Sequence, residues 1–257
     1  MVKGLYTSYT GMVNQQYRLD VVSNNLANAT TTGFKKEGCT TQSFDEMYGI
    51  KIKDATVGHL NQQIGTLSLG AKIGETYRSW NQGSLISTGS NYDFALSGQG
   101  FFNISFTNKA GETTTMYTRD GSFQMNSEGY LVTKDGDFVL GEGGPIQLPT
   151  DVSELSVEPT GEIYADGQYI DTFALTDFED YNYLEMYGEN LFRAVDGATP
   201  QFVTNTTMTQ GYLESSNINV VSEMVDMITI AREYESGQKV MNAIDEMLAK
   251  MVNISEL

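Results

Sequence analysis

Cys39 and His59 are the only thiol and the only imidazole in the chain, and a nucleophile with its base is the first chemistry such a pair could support. Both stand in a stretch rich in Gly, Thr, Ser, Gln and Asn, with no third group to orient an imidazole and no recognisable oxyanion loop. A single cysteine excludes an intramolecular disulfide and, beside a single histidine, a thiolate zinc cage. Gly98-Gln99-Gly100 runs into the strand-like pair Phe101-Phe102 rather than into a helix, so it reads as a turn and not as a dinucleotide loop. Asp135-Gly136-Asp137 lacks the later oxygens of a calcium loop. Asp120 could be matched with Glu128 or Glu142 as an acid and a base, but in a chain with 33 acidic residues such pairs arise freely, and solvated turn acids are the better reading. Asn103-Ile104-Ser105 and Asn205-Thr206-Thr207 fit a glycosylation pattern that carries almost no weight without a secretory leader. No catalytic, cofactor-binding or metal-binding residue is assigned, and neither an enzyme nor a small-molecule substrate is expected.

The elements that would have to position any chemistry fall into two kinds. Apolar residues recur at helical spacing at both ends. Leu5, Tyr9, Met12, Leu19 and Leu26 follow 4, 3, 4, 3 stepping, interrupted by Gln16 and Ser23. Val220, Met224, Met227, Ala231, Tyr234, Gln238, Met241, Asp245, Leu248 and Val252 do the same at the C-terminal end, where eight of the ten are apolar. Val221, Val225, Ile228, Val240, Ile244, Met247 and Met251 form a second stripe beside it, wider than one helical partner could cover. Two readings follow from spacing alone: a helical hairpin closing a globular domain, or assembly through the termini.

Charge narrows the partners. The formal net charge of -18 repels nucleic acid and anionic membrane surfaces. It is unevenly spread: residues 1–36 carry four basic groups against Asp20, a net of +3, whereas residues 217–257 carry seven acidic groups against three basic ones, a net of -4. The termini therefore match in charge, which favours their pairing weakly, because exposed ion pairs contribute roughly 0 to 1 kcal/mol each. No apolar stretch near the N-terminus has the length of a leader, and no run approaches the ~18 apolar residues of a membrane helix.

All four prolines lie between the two stripes, which leaves both ends free of the strongest helix breaker. The first helix is expected to stop before Gly33, which is placed for a left-handed turn. Residues 37–90 read as an extended linker or β segment. From 91 to 210 short aromatic or alternating runs (Tyr92–Leu96, Phe101–Phe106, Met116–Arg119, Ser122–Met125, Tyr130–Thr133, Phe138–Leu140, Leu155–Glu158, Glu162–Ala165, Thr172–Phe178) alternate with Asp-Gly and Gly-x-Gly turns. The expected fold is α+β: residues 1–36 and 211–257 supply N- and C-terminal helices forming a coiled-coil layer, and 91–210 a central antiparallel β domain.

Residues 4–36 resemble the N-terminal signature of the bacterial flagellar rod and hook axial proteins. Leu19 to Lys35 reproduces the family pattern Leu-Asp-x-x-x-Asn-Asn-Leu-Ala-Asn-x-x-Thr-x-Gly-Phe-Lys, with Asn24, Asn25, Asn28, Gly33 and Phe34 in place. Gly211 to Val225 is similar to the C-terminal signature. Phe94 to Phe102, containing Gly98, Gly100, Phe101 and Phe102, and Tyr117 to Phe123, containing Asp120 and Gly121, resemble its middle-domain motifs. The resemblance implies a structural subunit of the basal-body rod that polymerises into a tube, with itself and other rod or hook proteins as partners. It further implies passage through the flagellar type III export apparatus without a cleaved signal peptide, and a location outside the cytoplasmic membrane. The length favours a rod protein with one middle domain over a hook protein. A junction, cap or scaffold protein of the same appendage, and more remotely a secreted acidic β-domain enzyme, stay open.

Overall fold

The structure is a computed structural model in which residues 2–51, 62–108, 111–150, 155–188, 190–203 and 206–255 are described. The chain divides into two compact units: Met1–Ala27, Glu37–Ser79 and Asn219–Leu257 form the first, and Asn28–Lys36 with Trp80–Ile218 the second.

The first unit holds the two long helices, α1 (Val2–Ala27) and α2 (Val220–Ser255). Asn219 starts α2, its Oδ1 accepting from the backbone N–H of Val221 at 3.1 Å and of Ser222 at 3.2 Å, donors that a helix start otherwise leaves unpaired. The helices lie side by side and antiparallel: Gly4 faces Ile244, Met12 faces Gly237, Arg18 lies 3.7 Å from Glu233, and Asn25 reaches Glu223. Gly237 permits the close approach, since a Cβ there would stand 2.8 Å from Met12 Cγ. On α1 the covered seam runs through Leu5, Ser8, Met12, Gln15, Leu19, Val22 and Leu26. On α2 it runs through Glu223, Met227, Ile230, Gly237, Met241, Ile244 and Leu248. Both differ from the stripes read off the periodicity. Small and polar Ser8 and Gln15 lie inward while Tyr9 is 54% exposed, because the strands at the side of α1 and the closeness of α2 favour compact residues there.

Among the described residues four strands complete this unit: β1 (Glu37–Ser43), β2 (Met47–Lys51), β3 (Gln62–Leu67) and β4 (Ala71–Arg78). β1 pairs antiparallel with β4, with a bulge between Cys39 and Thr41, and β2 pairs antiparallel with β3. Asn14 of α1 donates to Thr41 Oγ1 at 3.2 Å, and Thr7 donates to the Leu69 carbonyl at 3.4 Å, joining the helix to these strands.

The second unit is antiparallel β. Its main sheet runs Leu184–Tyr187, Leu191–Ala194, Thr113–Thr118, Phe101–Thr107, Phe138–Gly141, Leu131–Val132, Gln124–Met125, and Leu175–Phe178 joins the start of Phe101–Thr107 to Pro200–Phe202. A three-stranded sheet holds Leu155–Val157, Glu162–Ala165 and Gln168–Thr172. Two further ladders pair Phe94–Ser97 with Thr207–Gln210 and Leu85–Ser87 with Tyr212–Glu214. Alternation along the strand sends Phe101 and Phe102 to opposite faces. Phe102 enters the larger core with Phe94, Leu96, Ile104, Phe123 and Val139, whereas Phe101 enters a smaller aromatic core with Phe178, Leu184 and Phe192, capped by Trp80 and Tyr181. Residues 28–36 are not helical and pack with this unit, held by anchors that belong to the site below.

Candidate functional site

Two features stand out, one in each unit. In the first, both helices keep apolar faces that nothing in that unit covers. Tyr6, Tyr9, Val13 and Tyr17 line α1 on the side away from α2, and Val221, Met224, Val225 and Ile228 begin a stripe on α2 that resumes at Val240, Met247 and Met251. So many large apolar side chains at helical spacing exceed the scatter of single exposed residues normal on a monomer. Between the covered faces lies a buried polar contact: the Asn25 side-chain amide donates to the Glu37 carbonyl at 2.8 Å and to Glu223 Oε2 at 3.2 Å, while Asn25 Oδ1 accepts from the Glu37 N–H at 3.0 Å. Asn25 and Glu223 are each 1% exposed.

In the second unit the three segments that carried the resemblance meet. Lys35, from the N-terminal motif, places its ammonium 2.6 Å from Glu214 Oε1, from the C-terminal motif. Arg119, from the middle motif, places Nη1 3.4 Å from Glu214 Oε2, gives Nη2 to the Gly98 carbonyl at 2.9 Å, and stacks over the Phe101 ring at 5.2 Å from its centroid. Two cations thus share one carboxylate, all nearly out of water. Backbone adds two further bonds: Lys35 donates to the Asn81 carbonyl at 3.0 Å, and the Gly83 N–H donates to Glu214 Oε1 at 2.8 Å. Burial pulls the Lys35 and Arg119 pKa values below their usual ranges, opposed by Glu214 in both cases and, at Arg119, also by Tyr181 and Asp177.

Gly33 fits this junction for a steric reason. Its φ is +70°, and a Cβ there would lie 2.5 Å from the Asp120 nitrogen and 2.6 Å from the Arg119 carbonyl carbon. Asp120 departs from the expectation of a solvated turn acid: its Oδ1 accepts from Thr32 Oγ1 at 2.7 Å, Ser122 Oγ at 2.7 Å and the Ser122 N–H at 3.0 Å.

The residues singled out for assembly separate into two groups. Leu5, Met12, Leu19, Leu26, Met227, Ala231, Met241 and Leu248 are half-buried, whereas Tyr9, Val220, Met224, Ile228 and Tyr234 are exposed. Of the motif residues, Asn25, Gly33, Phe34, Gly100, Phe101, Phe102 and Gly121 are buried, Asn28, Gly98 and Asp120 half-buried, and Asn24 exposed. Sequence reasoning missed Ile230, Glu223, Lys35, Arg119 and Glu214. Ile230 belonged to neither stripe, and the charged four are of residue types that ordinarily stay in water; their only signal was their place inside or beside the quoted motifs. Cys39 is half-buried on β1, and burial pushes its thiol pKa up, the reverse of an activated nucleophile; His59 lies outside the described residues. Among the described residues no group of three His, Cys, Asp or Glu could hold a metal ion, and no helix is long and apolar enough to cross a membrane.

The two features coincide with segments matched by models of known families. Residues 5–35 match the flagella basal body rod protein family, 95–165 the flagellar hook protein FlgE/F/G D1 domain, and 209–254 the flagellar basal body rod FlgEFG protein C-terminal family. Similar full-length relatives include the flagellar basal-body rod protein FlgG of Bacillus subtilis, 33% identical with 99% of each chain covered, and that of Agrobacterium fabrum, 32% identical over 96% of this chain and 97% of the relative. The flagellar basal-body rod protein FlgF of Caulobacter vibrioides is 32% identical over 96% of this chain and 95% of its own. With identities above 30% along nearly the whole length, and with models matching at both ends and in the centre, the chain belongs to the flagellar basal-body rod protein family.

Proposed function

We propose that this chain is a structural subunit of the flagellar basal-body rod that polymerises through its terminal helices, with copies of itself and with other rod or hook proteins as neighbours. The observation that carries the reading is the pair of uncovered apolar faces, Tyr6–Tyr9–Val13–Tyr17 on α1 and Val221–Val225–Ile228 on α2. A helix pair that buries one seam within the chain and leaves two stripes wet gains most from neighbours on several sides, and repeated contacts between unlike faces generate an open filament. In this reading the helices form the inner coiled-coil layer of a tube, the β unit its outer part, and no reaction is catalysed.

Export is part of the same proposal: the chain leaves through the flagellar type III apparatus with its N-terminal segment uncleaved and takes its place outside the cytoplasmic membrane. The test is mass spectrometry of isolated basal bodies. It should find this chain, including the tryptic peptide Gly4–Arg18, and a strain lacking the export apparatus should retain the protein inside the cell. Basal bodies without the chain, or a mature N-terminus beyond about residue 15, would sink the reading.

A further inference from the structure

Three stretches of the second unit adjoin points where the chain passes from one unit to the other: 28–36, 80–84 and 214–218. They are bound to one another more than to any one sheet. Lys35 takes Glu214 Oε1 and the Asn81 carbonyl. The Gly33 N–H donates to the Glu214 carbonyl at 2.8 Å, and the Lys36 N–H donates to Asn217 Oδ1 at 2.7 Å. Asn217 returns its amide to the Asn81 carbonyl at 3.0 Å, and the Ser215 N–H donates to the Ser84 carbonyl at 2.8 Å. Glu214 is the hub, giving its carbonyl and Oε1 to this collar and its Oε2 to Arg119.

We propose that Glu214 is a positioning residue, whose carboxylate seats the N-terminal segment 28–36 on the β unit and so makes the order of the N-terminal motif conditional on the C-terminal motif. Charge count and burial point to this role. Lys35 and Glu214 have side chains 1% exposed and Arg119 5%. Without the carboxylate, two cations would face each other out of water, Lys35 held by the Asn81 carbonyl and Arg119 by the Gly98 carbonyl and the Phe101 ring, a state that opening the segment relieves by returning Lys35 to solvent. Of the two cations, Lys35 is the one on the short non-helical segment. Arg119 is fixed at the end of a central strand. The segment therefore yields first. Residue 214 lies 179 positions after Lys35, so the N-terminal motif stays unseated until most of the chain has been built into the unit. The proposal stands whether or not the chain builds a rod.

Hydrogen exchange on the full-length protein tests it, comparing the Gly33 and Lys36 amides with those of Phe101–Thr107. Glu214→Gln should speed exchange at Gly33 and Lys36 at least tenfold more than in the strand. Lys35→Met should loosen the same two amides by a smaller factor. Adding Lys35→Met to Glu214→Gln should slow their exchange relative to Glu214→Gln alone, because the stranded ammonium is gone. Equal acceleration in segment and strand would overturn the proposal by making Glu214 an ordinary core residue. So would unchanged exchange at Gly33 and Lys36, or a double variant that exchanges faster than Glu214→Gln. If Glu214→Gln fails to fold, Lys35→Met alone decides, through the ratio of segment to strand exchange.

Discussion

The Asn25 amide nitrogen stands 3.2 Å from Glu223 Oε2 across 198 residues of sequence, with both side chains 1% exposed. A carboxamide is the one neutral group that can donate to this carboxylate and to the Glu37 carbonyl while accepting from the Glu37 N–H, so a single side chain ties α1, α2 and β1 together. Like a lone polar residue in a helical seam, it fixes which positions of the two helices meet.

Asn25→Asp should therefore destabilise the helical unit at neutral pH. It removes two donated hydrogen bonds and sets a second carboxylate beside Glu223, at a cost of about 3 to 5 kcal/mol when both are charged. Two buried carboxylates this close share a proton, which raises a folded-state pKa, so stability should return as pH falls. Helical circular dichroism during thermal melts at pH 7 and pH 4.5 checks the sign. A variant less stable at the lower pH, relative to wild type, would refute the arrangement.

The two helix faces should separate cleanly by substitution. Ile230 is 2% exposed and Ile228 is 55% exposed on the same helix. Ile230→Asp should unfold the helical unit by several kcal/mol, since it buries an unpaired charge. Ile228→Asp should change the purified chain's melting by no more than about 0.5 kcal/mol and yet abolish motility. Met227→Asp, at a half-buried position, should do some of both. Motile cells carrying Ile228→Asp would mean that the exposed stripe has no assembly role.

Gly33 and Gly188 both have positive φ, +70° and +71°, but only Gly33 is crowded. Gly188→Ala should cost about 1 to 2 kcal/mol, the strain of a left-handed alanine. Gly33→Ala adds a clash with backbone that cannot rotate away, bringing its cost to about 2 to 5 kcal/mol. Urea unfolding followed by Trp80 fluorescence gives both values, and equal costs would show that the Arg119–Asp120 backbone can move aside.

Alkaline pH should weaken the second unit through Tyr181. Its phenol is pushed well above the ordinary value, first by burial and then by donating to Asp177 Oδ1 at 2.7 Å. With the folded pKa above the unfolded one, this contribution is fully present below pH ~10 and is lost as pH rises beyond it toward the folded value. Lys35, whose pKa is lowered, works in the opposite direction, so the Tyr181 effect is best read as the difference between wild type and Tyr181→Phe. That difference should shrink from pH ~8 to pH ~11 as the wild type loses its advantage. A constant difference would remove Tyr181 from the account.

The sequence alone determined the helical ends and nine strands of the central region, from Phe94–Ser97 to Leu175–Phe178. Leu5, Met12, Leu19 and Leu26 recur every seven residues, a period that survives any small rotation of the helix, and short aromatic or alternating runs bounded by Gly-containing turns marked Phe101–Phe106 and Glu162–Ala165. It gave no sign of Leu191–Ala194 or Thr207–Gln210, whose mixed residues become strands by pairing with Thr113–Thr118 and Phe94–Ser97, distant in the chain, nor of Leu184–Tyr187, which follows Leu191–Ala194 into the sheet as its hairpin partner. It also left open whether Ser8 or Tyr9 faces inward, since one residue of helix is a rotation of about 100° and only the packed strands and α2 choose between the two. The tertiary structure decided the rest for the same reason. Lys35, Arg119 and Glu214 are ordinary solvent-seeking residues until folding brings them together, because a buried charge is tolerable only beside a partner, and no local pattern records which distant segment supplies it.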